Sequence, residues 1–175
     1  MGYRVLKLLN ILIFIGIIVC CLNIVSLTIL YFTDLSEYGL DLKVRIDAIE
    51  VFGKQLDFTF DIFVTVIINI LLRLCLLIFA RKVIKNLMKK QIFIEGNYKT
   101  IRNTSFVFVI MSVFSNIPQN LVIGEIVEKQ HSLAENINSS FSLNYGFLIV
   151  AITLFVFSLI FKEGMQIAEE NKFTV

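Results

Sequence analysis

Four polar residues stand four apart in one oily segment, DIFVTVIINILLR: Asp61, Thr65, Asn69 and Arg73. On a helix such a series forms a slowly drifting stripe along one side. A carboxylate and a guanidinium inside an apolar helix are the groups that mark ion or proton paths through membranes. The same residues also serve as hydrogen-bonding glue between helices, or as the seam of a hetero-oligomer. Asp61 and Arg73 lie about 18 Å apart along a helix axis, too far to pair directly. Arg73 can snorkel part of the way to the interface. Glue facing the bundle interior is the favoured reading, with Gly16, Cys20, Asn23 and Ser26, or Ser105, Ser112, Ser115 and Asn116, or Gly146 and Thr153, as complementary positions.

Material for enzymatic chemistry is scarce. His131 is the single histidine, HExxH is absent, and no Cys/His cluster has zinc spacing. Nothing positions Ser132, Ser139 or Ser140 beside His131 as a nucleophile, and no phosphate-binding glycine loop occurs. Cys20, Cys21 and Cys75 all fall in apolar blocks and read as small hydrophobes. No enzyme, cofactor or metal is expected. A formal net charge of +2 gives no reason to expect direct nucleic-acid binding.

The elements that carry these residues follow from composition. The chain is 57% hydrophobic and 17% charged, whereas soluble domains sit near 45–50% and about 25%. The excess is concentrated in four blocks, at about 8–32, 58–80, 104–124 and 142–161. Each has roughly the 20 residues that a hydrocarbon core of about 30 Å requires. The expected fold is all-α: one membrane domain over 1–175, a polytopic four-helix bundle. The first block is too long for a cleaved signal core and reads as a retained anchor.

Orientation follows from lysine and arginine. Arg4, Lys7, Arg81, Lys82, Lys85, Lys89, Lys90, Lys99, Arg102, Lys162 and Lys172 fall on one side, against Lys43, Arg45, Lys54 and Lys129 on the other. The positive-inside rule places both termini and loop 81–103 in the cytoplasm, with loops 33–57 and 125–141 exported. Within the first exported loop, Leu40–Phe52 could be a short helix or a strand. Pro118, the single proline, should kink or end the third span, with Asn116, Gln119 and Asn120 as compensating donors. In RKVIKNLMKKQIFI, Lys82, Lys85, Lys89 and Lys90 alternate with apolar residues at helical spacing. They are candidate contacts for anionic lipid headgroups; their other readings are a topological signal and a surface for a cytosolic partner.

Two cytoplasmic stretches carry a family likeness. QIFIEGNYKTIRN holds Phe93, Asn97, Ile101 and Arg102 at recurrent positions, and IFKEGMQIAEENKFTV holds Phe161, Gly164, Glu169, Glu170, Thr174 and Val175. With four spans of this spacing, the chain resembles the bacterial four-helix membrane family catalogued as domain of unknown function 2975. Ile92, the Glu95–Gly96 pair, Ile167 and Phe173 depart from its pattern. The resemblance implies no enzyme activity. It implies a membrane partner for a small cytosolic helix-turn-helix regulator. Phe93, Asn97, Arg102, Gly164, Glu169, Glu170, Thr174 and Val175 are then candidate docking residues, unless the tail is only a frayed, solvated end. The expected function is a non-enzymatic partner or regulator in the bacterial cytoplasmic membrane. The alternatives are a small transporter, channel or self-immunity protein using the stripe, or an accessory subunit of a membrane complex. A homo-oligomer is compatible with either.

Overall fold

A computed structural model describes residues 2–33, 43–46, 49–52, 59–121 and 143–173. Four long helices dominate: α1 (Gly2–Phe32), α2 (Phe60–Met88), α3 (Glu95–Phe114) and α4 (Tyr145–Phe173). The segment left open as helix or strand contains two short strands, β1 (Lys43–Ile46) and β2 (Ile49–Phe52), paired antiparallel with Val44 opposite Val51. Its β-branched valines and isoleucines favour that pleated arrangement over a helix. The remainder of the two loops expected to be exported, including His131, lies outside the described residues, as do Thr174 and Val175.

Helices α1, α2 and α4 are long and apolar enough to cross a membrane. Large side chains on α1 stay exposed around most of its circumference, among them Leu8, Leu12, Ile15, Leu22 and Ile29, and no α1 residue is buried. In water such a surface would associate at once; in lipid it is the solvated state. The buried set is correspondingly polar. Asn69, Asn97, Thr100, Ser105, Ser112, Ser115 and Ser158 are buried, alongside Ile62, Ile84, Met111 and Ala151 as the buried hydrophobic side chains among the described residues. Small hydroxyl side chains that bond back to their own helix let backbones approach closely. Ser112 Oγ donates to Val109 O at 2.7 Å, and Ser158 Oγ to Phe155 O at 2.6 Å.

Neighbouring helices run antiparallel. On α1 and α2, the Arg81 Nε donates to Asn10 Oδ1 at 3.4 Å, and Tyr31 stacks on Phe63 with centroids 4.3 Å apart. Asn86 of α2 bonds Asn97 of α3, and Phe108 of α3 lies 5.9 Å from Phe147 of α4. Thus α3 packs against both α2 and α4, while α1 packs on α2. The helices therefore pack in sequential order, with α3 between α2 and α4. That central helix is the least apolar of the four, because neighbours shield much of it from the surroundings.

Segment boundaries differ from the hydropathy blocks. Loop 81–103 is mostly helix: α2 continues to Met88 and α3 already starts at Glu95. Nothing between Arg81 and Met88 breaks a helix, so the polarity change does not end it. The tail likewise stays helical to Phe173, beyond the end of the fourth block at about 161. The third block breaks at residues 115–116 and resumes as a helical turn over 117–121.

A tight cap ends α2. Gln91 N–H donates to Asn86 O and Lys90 N–H to Leu87 O, both at 3.0 Å, with Lys90 at φ 60°. This is the Schellman arrangement, and glycine normally occupies its left-handed position. Lys90→Gly should therefore raise stability by about 1 kcal/mol, read as a higher melting temperature in detergent.

Candidate functional site

The stripe on α2 does not assemble as one inward face. Asn69 is buried, Thr65 half-buried, and Asp61 and Arg73 are exposed. Four residues advance a helix by about 400°, so each step drifts about 40° and the series turns away from the packed side. Thr65 Oγ1 donates to its own helix, at Asp61 O and Ile62 O. Asn69 reaches another helix: its Nδ2 donates to Phe114 O and, on its own helix, to Thr65 O, each at 3.0 Å.

Phe114 O is the carbonyl that the N–H of residue 118 would occupy in an unbroken helix, and Pro118 has no N–H. The donor that answers the proline therefore comes from α2. Asn69 Oδ1 remains buried without a hydrogen-bond partner among the described residues.

At the opposite end of α2 and α3, one side chain ties the connection. Asn97 is fully buried; its Nδ2 donates to Gln91 O (2.9 Å) and Ile92 O (2.8 Å), and its Oδ1 accepts from Asn86 Nδ2 (2.7 Å). These bonds use the acceptors of the short link 89–94 and hold it against the α2 terminus. Asn97 is thus a clamp, with no surface left for a partner to touch. Sequence reasoning did not single out Asn86. Its available signal was a second asparagine in the last helical turn before the link.

The two family-like stretches meet here. Phe93 and Phe161 have ring centroids 5.7 Å apart. A Cβ added at Gly164 would lie 2.6 Å from Phe93 Cε1 and 2.8 Å from Cδ1. Glycine inside a helix costs roughly 0.5–1 kcal/mol relative to alanine, and the ring lying on the bare backbone explains its place. Even so, Phe93 is 49% exposed, Ile92 45% and Ile167 58%.

Charges surround these apolar groups. Lys99 Nζ lies 2.6 Å from Glu95 Oε1 on the exposed side of α3, and that hydrogen-bonded ammonium holds the Glu95 carboxyl below the usual carboxylate range. Arg102 Nη1 donates to Tyr98 Oη at 3.2 Å, with its guanidinium 5.3 Å from the Tyr98 ring centroid. Glu169 and Glu170 are exposed on α4. Lys82, Lys85, Lys89 and Lys90 are exposed at the end of α2. Among the described residues, no group of His, Cys, Asp and Glu could hold a metal ion.

The arrangement has the chemistry of recognition: an aromatic contact, exposed aliphatic groups and charges of both signs at one end of the helices. Compared with models of protein families, with curated proteins and with solved structures, the chain matches none of them.

Proposed function

We propose that this is a four-span protein of the bacterial cytoplasmic membrane that acts without catalysis, as the membrane partner of a cytosolic regulator. The fourth crossing is supplied by α3 with its continuation, since residues 103–121 carry no charge. The lysine and arginine asymmetry puts both termini and the α2–α3 link on the cytoplasmic side. The resemblance to the domain-of-unknown-function 2975 family supplies the kind of partner, a small helix-turn-helix protein.

One observation carries the docking reading. Ile92, Phe93 and Ile167 are large apolar side chains that stay about half exposed where charged residues mark the aqueous side, next to the Phe93–Gly164 contact. Apolar groups grouped in water are the usual core of an interface, with the surrounding charges as its rim. Arg102, Glu169 and Glu170 would form part of that rim.

A photo-crosslinking residue placed at Ile92 or Ile167 tests this in cells. A single cytosolic protein with a helix-turn-helix sequence should attach at both positions, and none when the probe replaces lipid-facing Leu12. Lipid adducts alone at all three positions would reject the docking surface.

A further inference from the structure

On α2, the exposed apolar residues Leu71 and Ile78 continue at helical spacing into Lys82, Lys85 and Lys89. Residues 71, 78, 82, 85 and 89 share one side of the helix within about 60°. The side that meets lipid thus becomes, without changing direction, a row of ammonium groups. Arg81 flanks this row on the α1 side, about 80° round the helix from Leu71, in a fixed position. Its guanidinium carbon lies 4.4 Å from the Phe14 ring centroid, and its Nε donates to Asn10 Oδ1 at 3.4 Å.

The antiparallel pairing brings the start of α1, with Arg4 and Lys7, to the same end as Lys85 and Lys89. Between them, the described ends of these two helices hold no acidic residue, because Asp61 lies at the far end of α2. None of Arg81, Lys82, Lys85 and Lys89 pairs with a carboxylate among the described residues. The acidic residues of this side, Glu95, Glu163, Glu169 and Glu170, are all on α3 and α4. Charge is therefore segregated between the helix pairs, and the basic half is the one aligned with the lipid-facing side.

We infer that the α1–α2 end is a binding face for anionic phospholipids. Arg81, oriented by Phe14 and Asn10, meets a phosphate at the edge of the hydrocarbon layer, and Lys82, Lys85 and Lys89 hold headgroups further out. A topological signal needs only the charges; this face also requires them on the lipid side, beside a guanidinium already restrained. The inference rests on the membrane reading above and is independent of the cytosolic partner.

The test uses the full chain purified in mild detergent. Bound lipid is counted by native mass spectrometry, and the melting temperature is followed on adding phosphatidylglycerol or phosphatidylcholine. Phosphatidylglycerol should bind preferentially and raise the melting temperature. Each Lys→Gln change among Lys82, Lys85 and Lys89 should weaken its binding about fivefold. The three Lys→Arg changes should restore it, and soluble glycerol phosphate should not substitute for the lipid. Equal responses to the two lipids, or unchanged preference in the triple glutamine variant, would overturn the inference. A chain that stays dispersed without detergent would instead overturn the membrane reading.

Discussion

Asn97→Leu is expected to lower stability by about 2–4 kcal/mol, seen as a lower melting temperature in detergent and faster amide exchange across residues 89–98. The physical reason is the number of groups that one amide satisfies. Its removal strips the carbonyls of Gln91 and Ile92 of a donor and leaves the Asn86 amide facing an apolar side chain. A buried unsatisfied group costs about 1–3 kcal/mol. Gln91 and Ile92 are exposed, so water can recover part of the loss at their carbonyls. That places the total below a simple sum. Asn97→Asp keeps the volume but turns a donor toward two carbonyls into an acceptor, so it should be no milder. The opposite outcome is also informative: unchanged melting with lost capture of a cytosolic protein would make Asn97 a contact residue rather than a clamp.

The second large effect concerns Asn69 and Pro118, and is a coupling. Asn69→Leu should cost about 1–3 kcal/mol, because it leaves Phe114 O without a donor between α2 and α3. Pro118→Ala restores the backbone N–H that would otherwise reach that carbonyl. In the Pro118→Ala background, the cost of Asn69→Leu should therefore fall. The expected interaction energy is about 1 kcal/mol, within the range seen for interhelical hydrogen bonds in membranes. Unfolding of the four variants under one mild denaturing condition would give it directly. Strict additivity would break the link between the asparagine and the proline. If Asn69 instead served an ion path, flux in vesicles would fall on Asn69→Leu regardless of residue 118.

These two asparagines show how unevenly function and packing are written in a chain of this kind. Asn69 belongs to a visible pattern, yet Asp61 and Arg73, its companions in that pattern, lie exposed. Asn97 belongs to a family-like stretch, yet its side chain is spent entirely inside the protein. Conversely, Ile92 and Ile167 entered only as departures from the family pattern, and they are among the exposed apolar groups of the proposed docking surface. The lysines of α2 were legible as a basic helical run. Their alignment with Leu71 and Ile78 needed the structure.

The amino-acid sequence alone determined that long apolar helices would form, where Pro118 would interrupt one, and at which end the positive charge collects. Those features depend on local composition and on a helix's own hydrogen bonds, so no neighbour is needed to decide them. Tertiary structure alone decided that Phe93 lies on Gly164, that Asn69 answers the missing donor of Pro118, and that α3 is the helix flanked by α2 and α4. Each depends on the rotation and vertical register of one helix against another. Uniformly oily surfaces leave both nearly free until small residues and amides lock them.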